Sequence, residues 1–323
     1  MKKLFKLFLC LSLLLIVLAL PFTGYQSLMS DSGKFLSSAG ASSAIIPYLL
    51  SYSEAREAFK EKLKTPPPKE PPVTPESPPE PPPKENPSPT APTLDNEKLS
   101  WYFLKRGPGL VPNCPPEAKD LLKKYTAFYT GDTSEKIIYL TMDEGYENGY
   151  TPAILDNLKV NAVKVSFFIT EHYLKSRPDL VKRMLEEGHL VLNHSVSHAD
   201  GPDLTDDEFN NEIAGLASLY KEMTGMEMLR YYRPPSGYYS ERTLYLSKKL
   251  GYKTIFWSFA YRDWEVDNQP SLASARKAIL EGAHPGAIML LHAVSKTNME
   301  LLDEVLKELK SQGYEFKLLT ELP

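Results

Sequence analysis

Five short polar motifs contain the residues of this sequence that can do chemistry, and each follows an apolar run typical of a β-strand. They are TMDEG at 141–145, HSVSH at 194–198, RPPSG at 233–237, DW at 263–264 and LH at 291–292. Imidazoles, carboxylates and a guanidinium in this combination are the parts of a metal-assisted amide hydrolase. A barrel enzyme gathers its catalytic side chains from the ends of several strands on one face. The motifs therefore predict a single site.

Two of the motifs predict a metal centre. His194 and His198 are four residues apart, which on a helical turn places both imidazoles on one side, at a separation that one ion can bridge. Asp143 and Glu144 end an apolar run, where buried carboxylates are costly unless they meet cations. One of them can complete the ligand set, and the other can take a proton from metal-bound water. The alternative is a pair of surface histidines beside a solvated acidic loop.

The other motifs predict the remaining catalytic groups. Arg233 presents a planar fork that can hold Asp143 ionised. His292 follows a buried strand, and a carboxylate at Asp263 can orient its ring and stabilise the protonated form that a general acid needs. Trp264 either shapes a sugar-binding wall or is an ordinary core aromatic, and both interpretations stay open.

Strands that alternate with helices must position these residues. Apolar runs predict seven strands, at 137–142, 165–169, 190–193, 229–232, 254–257, 287–291 and 316–319. Helical patterns lie between them, with predicted caps at Thr205, Ser240 and Asn298. This alternation predicts an α/β fold with parallel strands. Because no Gly-x-Gly-x-x-Gly follows the first strand and polar motifs follow five strands, we expect a distorted seven-stranded (β/α) barrel.

The first third of the chain predicts an exported, tethered protein. Three lysines and an apolar run at 7–20 make residues 1–22 a signal peptide or membrane anchor. Residues 23–98 form an extended Pro-rich linker, with 14 of the 28 prolines between 66 and 92. The catalytic domain is expected at 99–323, outside the cytoplasm, with membrane contact through the N-terminal segment if it is retained. A net charge of −4 argues against a nucleic-acid partner.

The motifs resemble those of the polysaccharide deacetylase family over residues 101–323. Further segments, YENGYT at 146–151, FWS at 256–258, HPG at 284–286 and LHAVSK at 291–296, resemble the delta-lactam-biosynthetic de-N-acetylases of spore-forming bacteria. The resemblance implies an enzyme that removes the N-acetyl group from N-acetylmuramic acid of spore-cortex peptidoglycan, on the way to muramic delta-lactam. It also implies glycan strands of peptidoglycan as the partner and a divalent metal, with zinc expected, as the cofactor.

By position, the resemblance gives each site residue a role. Asp143 is the base, with Glu144, His194 and His198 as metal ligands; Arg233 steadies the base, Asp263 tunes His292 as the acid, the backbone N–H of Ser236 helps to hold the oxyanion, and Trp264 contacts substrate. Glu144 departs from the family, whose members have Asp at this position, or Asn in the delta-lactam branch. A glutamate can still bind zinc, so the ion stays in the prediction.

Three alternatives remain at this point. One is a deacetylase of another acetylated polysaccharide, such as a chitin-like or N-acetylglucosamine polymer. Another is a glycosidase that uses two of Asp143, Glu144 and Asp263 as its acid and nucleophile. The third is a non-catalytic cell-wall-binding barrel, in which Glu144 marks a degraded site.

Overall fold

The computed structural model describes residues 94–323. The predicted signal or anchor at 1–22 and nearly all of the predicted linker lie outside the described residues. Residues 94–98 have no regular secondary structure, and the first strand begins at Leu99. In the described part of the chain, no helix is both long and apolar enough to cross a membrane.

Short strands and longer helices alternate along the described chain. The strands are β1 (Leu99–Ser100), β2 (Ala127–Phe128), β3 (Ile137–Glu144), β4 (Ser166–Ile169), β5 (Leu190–Asn193), β6 (Tyr231–Tyr232), β7 (Tyr238–Tyr239), β8 (Lys253–Ile255), β9 (Ala287–His292) and β10 (Glu315–Phe316). The helices are α1 (Lys119–Lys124), α2 (Thr151–Val160), α3 (Glu171–Ser176), α4 (Pro178–Glu186), α5 (Asp206–Thr224), α6 (Glu241–Lys249), α7 (Leu272–Gly282) and α8 (Lys296–Ser311). One-turn 3₁₀ helices lie at Pro116–Ala118, Gly201–Asp203, Pro235–Gly237 and Leu319–Glu321.

Eight of these strands form one parallel, curled sheet. Its order is β10-β3-β4-β5-β6-β8-β2, and β9 also pairs with β3. On the far side of the curl, two isolated bridges reach β9: Phe259, beyond β8, forms a parallel bridge to Met289, and Thr130, beyond β2, forms an antiparallel bridge to Ala287. The α/β class and the parallel curled sheet agree with the prediction. The seven predicted strands all occur in part, but three two-residue strands, β1, β2 and β7, were missed.

The interior of the curl is packed with side chains from the strands. A buried apolar cluster includes Tyr139 of β3, Phe168 of β4, Leu192 of β5, Ile255 of β8 and Ile288 of β9. Successive side chains of a strand point to opposite faces, so one face of each strand enters this cluster and the other packs toward the helices. Burying such side chains contributes about 1.5–3 kcal/mol each.

Local signals at the helix ends are mostly as predicted. Thr205 and Glu208 form a reciprocal capping box at the start of α5, and Gly225, with φ of 75°, follows its last residue as the C-cap. Ser240 caps α6 by accepting from the backbone N–H of Thr243. The predicted cap of α8 was wrong, because Ser295 caps it and Asn298 lies one turn inside. That shift frees the Asn298 side chain for another role.

Candidate active site

A pocket of about 850 Å³ opens at the carboxyl ends of the strands. Six predicted site residues line it: Asp143, His194, His198, Ser236, Trp264 and His292. The other residues that line it are Trp101, Tyr102, Phe103, Gly145, Tyr146, Pro234, Trp257, Ala260, Tyr261, Arg262, Leu290 and Val294. All five motifs thus contribute residues to one pocket, because parallel strands present their carboxyl ends at one edge of the sheet.

Asp143 lies on the pocket floor because of strand alternation. On β3 it shares a face with Thr141 and Tyr139, and Tyr139 belongs to the interior cluster. Arg233 donates from Nη1 to Asp143 Oδ1 over 2.6 Å, and both side chains are buried. Burial favours a higher pKa for Asp143, but the charge of Arg233, with His194 and His292, lowers it below its ordinary value. Asp143 is therefore an ionised carboxylate.

The guanidinium of Arg233 makes several further contacts that fix its orientation. Its Nη2 donates to Thr141 Oγ1 over 2.9 Å, and its Nε donates to the carbonyl of Ile255 over 3.2 Å. The guanidinium lies 4.1 Å from the ring centroid of Phe168. Thr141 in turn donates to the carbonyl of Met289 over 2.8 Å. These contacts fix the arginine across three strands of the sheet, so the direction of its fork is set before substrate arrives.

His194 faces the second oxygen of the same carboxylate. Its Nδ1 lies 2.9 Å from the carbonyl of Arg233 and must donate to it, and its Nε2 lies 3.5 Å from Asp143 Oδ2. Burial is the main reason that the pKa of His194 falls to about 4, so the ring is neutral near pH 7. Nε2 therefore carries a lone pair and points it toward another acceptor.

His198 reaches the site through a bend rather than through the predicted helical turn. Residues 194–198 contain no helix, and Ser195 and His198 adopt left-handed φ values of 69° and 62°. Asn193 accepts from the backbone N–H of Ser195, and Ser195 Oγ accepts from that of His198. The two imidazoles lie 4.9 Å apart, edge to face. The predicted proximity of His194 and His198 is therefore present, but it depends on a bend with two left-handed residues instead of a helical turn. Backbone conformations of this kind cluster at functional sites.

Glu144 points away from the pocket. It ends β3 on the face opposite Asp143, is fully buried, and accepts from Thr151 Oγ1 over 3.4 Å at Oε1, while Oε2 has no hydrogen-bond partner. The pKa of Glu144 is raised well above its ordinary value, mainly by burial and to a smaller extent by the nearby charge of Glu147. The strand alternation that places Asp143 inside turns Glu144 outside.

The predicted three-ligand metal set is therefore not assembled. Within residues 94–323, no group of three His, Cys, Asp or Glu side chains is placed to hold a metal ion. The buried orphan oxygen of Glu144 belongs to the far side of β3 and does not face the histidine pair. His194, His198 and Asp143 are together in the pocket, but the residues present do not fit the expected His-His-Glu centre for zinc.

His292 and Asp263 make the contact that the sequence predicts. His292 Nδ1 donates to Asp263 Oδ1 over 2.7 Å, and the His292 backbone N–H donates to Oδ2 over 2.8 Å. Asn298 Nδ2 also donates to Oδ2, over 2.7 Å. Burial tends to lower the pKa of His292, but Asp263 raises it above the ordinary value. Because Nδ1 is occupied, Nε2 is the nitrogen available to substrate.

Aromatic side chains surround the pocket mouth. Among the described residues, the most exposed Phe, Trp and Tyr side chains are Tyr102, Tyr146 and Trp264, and all three line this pocket. The Trp264 ring lies 5.6 Å from that of His292. Ser236 also lines the pocket, in a turn where its φ is 53°. Exposed aromatic faces beside polar groups suit a sugar ligand.

The carboxylates of the pocket do not form a glycosidase pair. Of the residues that line it in the described chain, Asp143 is the single carboxylate, since Asp263 is fully buried behind His292 and Glu144 faces away. Glycoside hydrolysis requires two carboxyl groups that flank the scissile bond. The geometry instead presents one carboxylate and one protonatable imidazole, on neighbouring positions of β3 and β9.

Comparisons with known proteins agree with this geometry. The sequence profile described as polysaccharide deacetylase matches residues 130–255. The peptidoglycan-N-acetylmuramic acid deacetylase PdaA of Bacillus subtilis is 44% identical over 232 residues, which cover 72% of this chain and 88% of that protein. The chain belongs to the polysaccharide deacetylase family. The predicted enzyme class is thereby confirmed.

Solved structures of family members have the same fold as this deacetylase. The structure of Bacillus subtilis PdaA, a family 4 carbohydrate esterase, matches with a TM-score of 0.69 and covers 71% of this chain and 98% of its own. A family 4 carbohydrate esterase from Bacillus anthracis, 41% identical, matches with a TM-score of 0.60 over the same shares. The likeness extends over the curled sheet and the helices around it.

Sequence reasoning missed four residues of the deacetylase site. Thr141 supports Arg233, Asn298 supports Asp263, and Tyr102 and Arg262 line the pocket. Thr141 stands in the first motif, on the same strand face as Asp143, and that alternation was an available signal. Asn298 and Tyr102 reach the site only through packing, since β1 pairs with β7 and carries the aromatic segment to the mouth.

Proposed function

We propose that this deacetylase hydrolyses the N-acetyl group of N-acetylmuramic acid residues in peptidoglycan. One observation supports this most directly: Asp143, which Arg233 keeps ionised, and His292, whose pKa Asp263 raises, occupy neighbouring positions in one aromatic-walled pocket. The 44% identity to a peptidoglycan-N-acetylmuramic acid deacetylase supports the sugar class.

The two residues divide the proton transfers between them. Asp143 accepts a proton from the water that attacks the acetyl carbonyl carbon, which forms the new C–O bond. Backbone N–H groups of the turn at Ser236 stabilise the charge that develops on the carbonyl oxygen. His292 then donates the proton from Nε2 to the sugar nitrogen as the C–N bond breaks. Acetate and a free amine leave, Asp143 gives its proton to solvent, and His292 takes up a proton from solvent to restore the starting state.

The product chemistry supports a finer proposal. The freed amine at C2 lies next to the lactyl carboxyl group on O3 of the same sugar. A condensation between them, in which the new C–N bond forms and water leaves, gives the muramic delta-lactam of spore cortex. The reaction belongs outside the cytoplasm, where the predicted leader and Pro-rich linker would hold the enzyme at the wall. Because the predicted ligand set is not assembled, no step here depends on a metal ion.

Mass spectrometry of peptide-free glycan strands tests the function directly. The purified chain should remove one acetyl group per N-acetylmuramic residue, and Asp143→Asn and His292→Ala should abolish the loss. His172→Ala, outside the pocket, is the matched histidine control. A parallel incubation with chelator tests the predicted divalent ion. Deacetylation of N-acetylglucosamine residues alone would favour the other polysaccharide substrate, and intact amides with retained glycan binding would favour a wall-binding protein.

A further inference from the structure

Arg262 is a cation in the pocket wall to which the reaction scheme gives no role. Among residues 94–323, it is the single Lys or Arg that lines the pocket, and 79% of its side chain is exposed. It stands between Tyr261, which also lines the pocket, and Asp263, which orients His292. Its backbone is thus anchored beside the catalytic acid while its guanidinium remains in solvent.

The other charges of the site are already neutralised. Asp143 is paired with Arg233 over 2.6 Å, and Asp263 is paired with His292 over 2.7 Å. Within the described residues, the one ion pair of Arg262 is with Glu265, at 3.7 Å between Nη1 and Oε1. An exposed pair at that distance contributes little and is easily exchanged for another carboxylate. Arg262 is therefore available to an anionic group of the substrate.

The substrate class carries such a group next to the reacting centre. N-acetylmuramic acid differs from N-acetylglucosamine by a lactyl ether on O3, which ends in a carboxylate when no peptide is attached. C3 neighbours C2, which bears the acetamido group, so the carboxylate lies within a few ångströms of the scissile amide. A guanidinium binds a carboxylate through two parallel N–H donors, which adds direction as well as charge.

We propose that Arg262 binds the lactyl carboxylate of the sugar being deacetylated and so makes the enzyme prefer N-acetylmuramic acid to N-acetylglucosamine. The inference rests on the proposed function and specifies its recognition element. Glu265 competes for the same guanidinium before substrate binds.

Paired substrates separate this role from a general loss of activity. The full-length chain is assayed for acetate release on peptide-free glycan strands and on the same strands with the lactyl carboxylates methyl-esterified. Arg262→Gln should lower kcat/KM by about 10- to 100-fold on the free acid, through KM, and by less than about threefold on the ester. Arg262→Lys should retain part of the preference, and Glu265→Gln should lower KM for the free acid.

A surface arginine supplies the control. Arg276 pairs with Glu304 and does not line the pocket, so Arg276→Gln should match the wild type on both substrates. Equal losses on acid and ester with Arg262→Gln, or no loss on either, would overturn the assignment of Arg262 and leave the proposed function intact. A wild-type enzyme that releases no acetate from either substrate would refute both.

Discussion

Arg233 donates a 2.6 Å hydrogen bond from Nη1 to Oδ1 of Asp143, and neither side chain has appreciable solvent exposure. Oδ2 of the same carboxylate faces His194 Nε2 at 3.5 Å. The arginine therefore engages one oxygen and leaves the other directed at the pocket. A carboxylate so placed stays ionised at neutral pH and can accept a proton from a water that approaches Oδ2.

Replacing Arg233 by Met should damage both stability and catalysis. The change strands Asp143 as a buried, unpaired charge, which typically costs about 3–5 kcal/mol of the free energy of unfolding. Activity should fall by more than about 100-fold, because Asp143 then favours its neutral form. Urea unfolding and acetate release measure the two effects. The double variant Arg233→Met with Asp143→Asn should regain stability without activity; no recovery would contradict the pairing argument.

Asp263→Asn should move the alkaline limit of activity to lower pH. Asp263 raises the pKa of His292, so the imidazole stays protonated to higher pH than an unpaired histidine does. A general acid works only while protonated, and its contribution is lost as pH rises through that pKa. Without the carboxylate the pKa falls and the loss comes earlier. A pH profile of kcat/KM measures the shift.

The control for this change lies in the same loop. Asp267 is exposed and four residues from Asp263, so Asp267→Asn removes the same charge without the contact to His292. Its profile should coincide with that of the wild type. Equal shifts for both variants would mean that the pKa of His292 depends on the overall negative charge of the loop rather than on the 2.7 Å contact with Asp263.

Glu144→Gln should stabilise the protein increasingly as pH rises. The pKa of Glu144 is raised in the fold, so the neutral form is the one the fold accommodates. The stability contribution of this group is complete below its ordinary pKa of 4.5 and declines as pH rises toward the folded value. Glutamine cannot ionise, and the gain should be of the order of 1 kcal/mol at neutral pH. Thermal unfolding from pH 4.5 to 8 tests the trend.

The same variant tests whether Glu144 binds metal. Because Glu144 faces away from His194 and His198, Glu144→Gln should leave the zinc affinity of the purified chain unchanged, whereas His194→Ala should weaken any binding. Isothermal titration calorimetry with zinc measures both. A tenfold or greater loss of affinity with Glu144→Gln would show that this carboxylate turns into the pocket when the ion binds.

Tyr102→Ala and Trp264→Ala should weaken glycan binding more than they lower kcat. Both rings line the pocket and are exposed, at 42% and 47%. Loss of one aromatic platform should raise KM for oligosaccharides by about two- to tenfold, with kcat largely retained. Val160→Ala, an exposed apolar residue outside the pocket, is the control. An unchanged KM for both aromatic variants would argue against a sugar-binding wall.

Elements with strong local signals were predictable because neighbouring residues determine them. The capping box of Thr205 with Glu208 and the left-handed Gly225 follow from hydrogen bonds and φ preferences within a few residues. The strand β2 has two residues, too few for an apolar period, and is defined by its pairing with β8. Asn298 looked like a helix cap from its neighbours, but Ser295 takes that position.

The sequence by itself determined which chemistry is present and at which edge of the sheet, because each motif ends a parallel strand and such ends share one side of the fold. Only the tertiary structure decided which side chains meet. It brings Asp143, His194 and His292 into one pocket, and it turns Glu144 to the opposite face. The sequence specifies the residue types and their order along the chain. The distances between side chains on different strands depend instead on how the whole sheet curls and packs.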